Sequence, residues 1–275
     1  MRWIIGDIHG MLRPLVTLVA EVRRQDPASR LIFVGDYVNR GPQSRGVIDS
    51  LLELEAASFI RGNHDDLFDL VINGQCYAEN AARGDRAAAF LWFMKYGLDS
   101  TLFSYDCDHA YLDALSDQCN PMQLDKLAEC LPASHRQFIR NLPAVYEDDD
   151  LFVVHGKWDP DELDESPNLL TRLEKQPALR HRLLWGRFTE DEIPRTKAWR
   201  RTGYFGHTPV SFYTASLRAQ RRSSEEPVMV PVLGQKMVLL DTAVALGIDG
   251  RLTAFCPDNG SFIQTDHFGK LVVRP

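Results

Sequence analysis

Five short segments of the sequence contain Asp, His or Asn, side chains that bind divalent metal ions in proteins. Each segment holds a glycine and follows an apolar run that is typical of a buried strand. Hard cations such as Mg²⁺ favour carboxylate oxygens, whereas imidazole nitrogens suit Mn, Fe and Zn. A mixed set of ligands therefore predicts a site for Mn, Fe or Zn. The segments are residues 6–10, 35–41, 62–65, 155–156 and 206–209.

These segments supply candidate ligands from several parts of the chain. Asp7 and His9 follow one strand, and an extended Asp-x-His segment projects both side chains to one side, so they could chelate one ion. Asp36 ends the next strand, where its carboxylate could bridge two ions. The full set of candidate ligands is Asp7, His9, Asp36, Asn63, His155 and His207.

The elements that must position the first three segments follow from the spacing of apolar residues. Residues 3–5, 31–34 and 58–60 predict strands, and residues 11–24 and 47–54 predict the helices between them. Strands that alternate with helices imply a parallel sheet, and sites in such sheets lie beyond the carboxyl ends of the strands. The three N-terminal segments fall at these ends.

The middle of the chain has a different pattern. Residues 66–141 have few strand signals and predict a helical insertion, in which residues 87–96 form the best helix. We expect the aromatic residues of that helix, Trp92, Phe93 and Tyr96, to pack against the sheet layer rather than to stack on a ligand.

The strand pattern returns in the last part of the chain. Residues 151–154, 203–205, 237–240 and 252–255 predict strands, and the Asp-Gly pair at 249–250 is a hairpin signal. Between them, a polar segment at 217–227 predicts a solvated loop, because glutamates follow its arginines directly.

Composition limits the classes of function. With 275 residues and 44% hydrophobic content, the chain can bury a large core, and we expect a single domain over residues 1–275. A net charge of −7 shows no basic excess, so we expect no stable nucleic-acid partner. Nothing in the sequence predicts the oligomeric state.

The terminus and the cysteines indicate a compartment. The sequence enters a strand at once, and no apolar run approaches the ~18 residues of a membrane helix, so we expect no membrane association. The five cysteines are widely spaced and form no CxxC pair, so we expect neither disulfides nor a thiolate zinc site. We therefore expect a cytoplasmic protein.

The motifs together resemble a known family. Gly-Asp-x-His-Gly, Gly-Asp-x-Val-x-Arg-Gly, Gly-Asn-His-Asp, a later His-Gly and Gly-His-Thr-Pro are similar to the phosphoprotein phosphatase branch of the calcineurin-like metallophosphoesterases, over nearly the whole chain. Residues 96–105, 184–187 and 241–242 resemble the bacterial members. The resemblance implies an α+β or α/β fold in four layers, an α-β-β-α sandwich with the helical insertion, and a two-metal site at one edge of the sandwich.

The resemblance also implies roles for individual residues. Asp7, His9 and Asp36 would hold one ion, and Asp36 would be shared with a second ion. Arg40 and Arg187 fall where the family binds phosphate oxygens, and His64 falls where it places its general acid. The ligands of the second ion would be Asp36, Asn63, His155 and His207, with Asn63 also near the substrate.

The chemistry of such a site follows from charge. Two ions about 3.5–4 Å apart lower the pKa of a bridging water, and the resulting hydroxide attacks phosphorus in line with the leaving group. Arg40 and Arg187 would stabilise the negatively charged transition state, because a planar guanidinium can bind two phosphate oxygens at once. His64 would protonate the leaving oxygen, which typically raises rates about 10²–10⁴-fold. We expect Mn²⁺, with Fe and Zn as alternatives.

Three positions depart from the family pattern. Asn39 stands where protein phosphatases of the family have Asp, whose charge keeps the catalytic histidine cationic. Asparagine cannot supply that charge, so His64 should be a poorer reservoir of acid near neutral pH. Lys157 stands where a small residue is usual, and it could contact phosphate or point outward. Ala243 replaces a glycine after Asp-Thr.

Three functions fit these observations. The first is a phosphomonoesterase that resembles Ser/Thr protein phosphatases and acts on phosphorylated proteins. The second is a symmetrical dinucleoside tetraphosphatase, which would split diadenosine tetraphosphate into two ADP; this group also lacks Asp at the position of Asn39, and a good leaving group depends less on His64. The third is a weakly active phosphate-binding regulatory module, motivated by Asn39 alone.

Overall fold

Ten strands in two sheets form the centre of the computed structural model, which describes residues 1–78, 85–158, 176–193, 199–213 and 229–272. The strands are β1 (Arg2–Ile5), β2 (Arg30–Phe33), β3 (Ala57–Phe59), β4 (Val145–Glu147), β5 (Leu151–Val154), β6 (Thr202–Phe205), β7 (Val232–Leu233), β8 (Met237–Leu239), β9 (Arg251–Phe255) and β10 (Phe262–Asp266). The first sheet has the order β10-β9-β1-β2-β3, and the second has the order β4-β5-β6-β8-β7.

Both sheets are mixed, with parallel strands beside the candidate site. β1, β2 and β3 are parallel, and so are β5, β6 and β8. The remaining strands pair in antiparallel fashion. The predicted hairpin at 249–250 was wrong, because β8 and β9 belong to different sheets. A local turn signal does not determine which sheet the next strand joins, and here the turn carries the chain across the sandwich.

The four-layer architecture is visible in how the strand side chains alternate. Ile4 and Ile32 point between the sheets, where they meet Val153 and Tyr204 of the second sheet in one buried cluster. Their neighbours Trp3, Ile5, Leu31 and Phe33 point to the other face, where they pack with helices in the largest cluster. A third cluster covers the outer face of the second sheet. The predicted α-β-β-α sandwich is therefore confirmed.

Helices cover both outer faces of the sandwich. They are α1 (Leu12–Gln25), α2 (Ser44–Leu52), α3 (Asn63–Asn73), α4 (Arg86–Met94), α5 (Leu98–Ser104), α6 (His109–Asp117), α7 (Pro121–Ala128), α8 (Ala133–Arg140) and α9 (Pro177–Trp185). The helical insertion comprises α3 to α8 and begins at Asn63, slightly earlier than predicted. None of the helices described is long and apolar enough to cross a membrane. The polar segment at 217–227 lies outside the described residues.

A buried arginine fastens the helical insertion to the first sheet. Arg61 follows β3, and its guanidinium donates to Asp66 and Asp69 of α3, both at 2.9 Å. The same group donates to the carbonyl oxygens of Ile139 and Arg140 at the end of α8, also at 2.9 Å. Because all five donors of an arginine fork are fixed in one plane, this network sets the position of both ends of the insertion.

Candidate active site

The six candidate ligands lie together in one buried cluster at the strand ends. Asp7 follows β1, Asp36 follows β2, Asn63 begins α3 after β3, and His155 and His207 follow β5 and β6. Asp36 is at the centre, with Oδ2 3.4 Å from His9 Nε2 and 3.3 Å from His155 Nε2. None of the six residues is more than 6% exposed. The cluster therefore draws on both sheets.

Asp36 belongs to two groups of closely spaced ligand side chains. Asp7, Asp36 and His155 have ligand atoms within 4.8 Å of one another, and so do His9, Asp36 and His64. Asn63 joins the remaining histidine to the cluster, because its Oδ1 lies 2.9 Å from His155 Nε2 and 2.8 Å from His207 Nδ1. The carboxylate of Asp36 therefore lies within reach of both groups of side chains.

The imidazoles are oriented by backbone carbonyls. His9 Nδ1 lies 3.0 Å from the Val38 carbonyl oxygen, and His155 Nδ1 lies 2.8 Å from that of Val34. With Nδ1 held by these carbonyls, Nε2 of each ring is directed toward Asp36. Metal-binding histidines are commonly fixed in this way by a partner of the other ring nitrogen.

The backbone around the cluster is left-handed rather than extended. Residues with positive φ include His9 (47°), Asp36 (56°), Asn39 (71°), Arg40 (68°) and His207 (65°). This conformation costs free energy for residues other than glycine and is concentrated at functional sites. The expected extended Asp-x-His segment is therefore wrong: a tight turn brings His9 back toward Asp36.

Glycines in the motifs make room for the carboxylates. A Cβ atom on Gly62 would lie 2.1 Å from Asp36 Oδ1, and one on Gly206 would lie 2.1 Å from Asp7 Oδ1. No side chain can be accommodated at such distances. These two glycines are required for close approach of the backbone to the ligand side chains.

Asp65 holds the turn that carries Asp36, a role that the sequence analysis missed. Its carboxylate accepts hydrogen bonds from the backbone N–H groups of Asp36 (2.8 Å), Tyr37 (2.9 Å) and Gly62 (2.9 Å). The bond to Gly62 is that of an acidic residue three positions into a helix, bonding back to the cap. The spacing of Gly62 and Asp65 in the sequence is the signal from which this role could have been predicted.

The charges in the cluster suit a bound cation. Asp7 has a carboxylate oxygen with no partner in the described part of the chain. Burial and repulsion from the Asp241 carboxylate raise the pKa of Asp7 well above its usual range. Burial lowers the pKa of His155, but the Asp36 carboxylate outweighs it and raises that pKa to about 9. Buried carboxylates that repel one another among imidazoles fit one or more divalent ions.

His64 lies beside the ligands and is held through Asn39. Asn39 Oδ1 accepts a hydrogen bond from the Thr101 hydroxyl (3.0 Å), so Nδ2 faces His64 Nδ1 at 3.1 Å and donates to it. The neutral ring then carries its proton on Nε2. Burial, with the charges of His9 and Arg40, lowers the pKa of His64 well below its usual value despite Asp36. Thr101 lies in the segment 96–105, which the sequence analysis noted only as resembling the bacterial members. The structure makes it part of the site.

The two arginines reach the site from different directions. Arg40 Nη1 donates to His9 Nε2 at 2.7 Å, and its Nη2 lies 3.3 Å from His64 Nε2. The second contact brings two donors together, and a phosphate group that accepts from Arg40 would remove it. Arg187 donates to the Thr208 hydroxyl at 3.0 Å.

A cavity of about 160 Å³ opens above the ligand cluster. Arg40, Arg187 and His64 line it, as expected for a substrate site. It also contains aromatic side chains that we had expected to pack against the sheet. Of these, Phe93 is buried in the core, Trp92 packs against the core and is half-buried, and Tyr96 is exposed. Its walls are Arg40, Asn63, His64, Trp92, Phe93, Tyr96, Trp185, Arg187 and His207.

A family model described as calcineurin-like phosphoesterase matches residues 2–211. The chain belongs to this family. The match covers the strand-end segments from Asp7 to His207, so the resemblance that the motifs indicate is confirmed. Calcineurin-like phosphoesterases use divalent metals, and the buried cluster around Asp36 has side chains that could hold them.

Relatives of this calcineurin-like phosphoesterase have more than one described activity. A symmetrical bis(5'-nucleosyl)-tetraphosphatase from Bordetella pertussis is 43% identical over 65 residues, 23% of this chain and 24% of that protein. The match therefore spans about a quarter of that relative's length. A structure provisionally described as a diadenosine tetraphosphatase has a TM-score of 0.52 at 22% identity and covers 96% of this chain and 92% of its own.

A Saccharomyces cerevisiae protein serine/threonine phosphatase has the same fold. Its structure has a TM-score of 0.51 at 16% identity and covers 100% of this chain and 81% of its own. At such identities the likeness shows the shared fold of the calcineurin-like phosphoesterases and nothing about substrate.

Two unusual positions in this calcineurin-like phosphoesterase have local explanations. Lys157 forms an ion pair with Glu192 and lies over the Phe188 ring, 5.2 Å from its centroid. It is therefore engaged beside the second sheet. Ala243 has φ of 65°, a conformation that favours glycine, and its N–H donates to Asp241 Oδ1 at 2.9 Å.

Proposed function

We propose that this chain is a metal-dependent phosphoester hydrolase whose reaction takes place next to Asp36. One observation supports this most directly: five buried ligand side chains surround the shared carboxylate of Asp36, beside a cavity lined by two arginines and a histidine. This arrangement combines cation binding, anion binding and a proton donor within one small volume. Those are the requirements of phosphoryl transfer to water.

We propose two divalent ions, and Mn²⁺ is the ion that best suits mixed carboxylate, amide and imidazole ligands. Asp7, His9 and Asp36 would hold one ion, and Asp36 would be shared. Such ions supply an activated water at neutral pH and stabilise negative charge on phosphate oxygens. The ligands of the second ion would be Asp36, Asn63, His155 and His207.

The cavity side chains bind and protonate the substrate in this proposal. Arg40 and Arg187 bind phosphate oxygens, and their charge stabilises the transition state, in which negative charge is spread over those oxygens. The cationic form of His64, which the lowered pKa makes a minor form near neutral pH, donates its Nε2 proton to the leaving oxygen and is left as a neutral ring. The amide of Asn39, fixed by Thr101, keeps the His64 ring in the orientation that points Nε2 toward the cavity.

A direct test compares hydrolysis of a phenyl phosphate ester by the metal-free protein and by protein loaded with Mn²⁺. We expect activity only with metal, and a loss of more than about a hundredfold in Asp36→Asn, because the shared ligand loses its charge. Asp113→Asn, an exposed aspartate on α6, is the matched control. Absence of hydrolysis with Mn²⁺, Fe²⁺ and Zn²⁺ would contradict the proposal.

Two substrate classes remain candidates, a phosphomonoester on a protein and a dinucleoside polyphosphate. Two observations favour the second class. With the neutral Asn39 beside it, little of His64 is cationic near neutral pH, which suits a good leaving group such as a nucleoside diphosphate. In addition, one relative is named as a symmetrical tetraphosphatase. The comparison to make is diadenosine tetraphosphate against a phosphoserine peptide under Mn²⁺. Faster hydrolysis of the peptide would favour the protein phosphatase reading.

A further inference from the structure

Three aromatic side chains form a continuous surface that leads away from the phosphate site. We call Trp92, Tyr96 and Trp185 the aromatic wall. The Trp185 ring lies 6.2 Å from the His207 ring and 5.8 Å from Trp92, whose centroid is 4.9 Å from that of Tyr96. All three line the same cavity as Arg40 and Arg187. The wall therefore begins at a candidate metal ligand and ends at the cavity mouth.

Trp92 and Trp185 of the aromatic wall pack against the edge of the hydrophobic core, but unlike their neighbour Phe93 they are not buried within it. Phe93 is 1% exposed and packs on the His64 ring at 4.8 Å. By contrast, Tyr96 is 45% exposed, and Trp92 and Trp185 are only half-buried. Large aromatic rings that stay accessible beside a charged cavity commonly mark a ligand surface.

We infer that the aromatic wall binds the base of a nucleotide whose phosphates lie at Arg40 and Arg187. The inference rests on the proposed function, since the arginines must first hold phosphate. Every nucleobase has a flat π-face, and stacking on aromatic side chains is a general way of binding bases without selecting among them. The wall would thus make the enzyme prefer phosphates that carry a base.

A base explains the wall better than the single ring of an aryl phosphate does. The ring of an aryl phosphate is joined directly to the phosphate oxygen, whereas the wall extends over three rings from His207 outward.

The first experiment measures binding of products by calorimetry, with ADP and inorganic pyrophosphate as ligands of the Mn²⁺-loaded protein. In Trp92→Ala we expect the preference for ADP over pyrophosphate to fall by about ten- to a hundredfold. Trp92→Phe should restore most of that preference, because it restores a stacking surface. Leu91→Ala removes a 41% exposed side chain from the same helix and is the matched control.

The second experiment compares kcat/KM for diadenosine tetraphosphate and inorganic tripolyphosphate in the same variants. The ratio should fall in Trp92→Ala and recover in Trp92→Phe. An equal loss with both substrates would show a structural role and overturn the inference, as would an unchanged ratio. A larger loss with a phosphotyrosine peptide than with the dinucleotide would assign the wall to aryl phosphates instead. If no phosphoester is hydrolysed yet ADP binding depends on Trp92, the proposed function fails while the base site stands.

Discussion

The ligand cluster around Asp36 and the aromatic wall around Trp92 are neighbours, but different parts of the fold hold them. The cluster comes from strand ends of both sheets, with left-handed backbone and glycines that contact carboxylates at distances no side chain could tolerate. The wall comes from the helical insertion and α9, and its rings are partly exposed. Buried ligands fixed by packing and hydrogen bonds keep the precise geometry that catalysis needs, whereas partly exposed rings are less constrained.

This difference leads to an expectation about kinetics. Changes in or under the cluster should lower turnover of every substrate, because each substrate needs the same ions and the same proton donor. Changes in the wall should alter which substrates bind and leave turnover largely as it was. The four predictions below test this division, beginning with the largest expected effect.

Replacing His64 should give the largest of these losses. We expect His64→Ala to lower kcat by about 10²–10⁴-fold for an alkyl phosphate, because the leaving oxygen loses its proton donor. The loss should be much smaller for nitrophenyl phosphate, whose leaving group needs less protonation. His109→Ala, an exposed histidine on α6, is the control. Equal losses with both esters would contradict a role as general acid.

Gly206→Ala should move a ligand without changing any functional group. The added methyl would meet Asp7 Oδ1 at 2.1 Å, so the carboxylate must shift. A displacement of about 1 Å can cost about a hundredfold in rate, and we expect a loss of that size together with weaker metal binding by calorimetry. Gly260→Ala has open space around it and should lower stability slightly but leave turnover unchanged. Full metal affinity in Gly206→Ala would show that the contact is dispensable.

Asn39→Asp should have a smaller effect that depends on the leaving group. A carboxylate beside Nδ1 favours the imidazolium and raises the pKa of His64. His64 would then stay protonated to higher pH, so the alkaline limb of the pH–rate profile should move upward. For an alkyl phosphate we expect an increase of about tenfold or less, and little change for nitrophenyl phosphate. An increase of several orders of magnitude would instead support a natively weakened, regulatory site.

Tyr96→Ala should give the smallest effect, because this ring is at the cavity mouth. We expect KM for diadenosine tetraphosphate to rise by about two- to fivefold while kcat stays near its original value, since an exposed stacking ring contributes at the low end of the usual range. Steady-state kinetics at several substrate concentrations separate the two constants. A fall in kcat without a change in KM would assign Tyr96 to the catalytic cluster. It would contradict the expectation that the cluster determines turnover and the aromatic wall determines substrate binding.

Sequence reasoning identified the ligand cluster well because its signals are local. An apolar strand followed by glycine and a ligand side chain occurs within about six residues at Asp7, at Asp36 and at His207. The same reasoning missed Thr101, whose partner Asn39 is 62 residues away. It also missed that Trp92 and Tyr96 line the cavity, although Trp92 does pack against the main hydrophobic cluster as predicted. Apolar periodicity shows that a helix has a buried face, but it does not show which element covers that face.

The sequence by itself determined which chemistry is available: the strand ends, the ligand types, the glycines beside them and two arginines in matching motifs. These are properties of short segments, and the backbone preferences of a few residues decide them. Only the tertiary structure decided how the ligands group around Asp36, which atom of Asn39 faces His64, and that the aromatic wall borders the phosphate site. Those outcomes depend on contacts between elements far apart in the chain, where packing and burial of charge, rather than local propensity, select the arrangement.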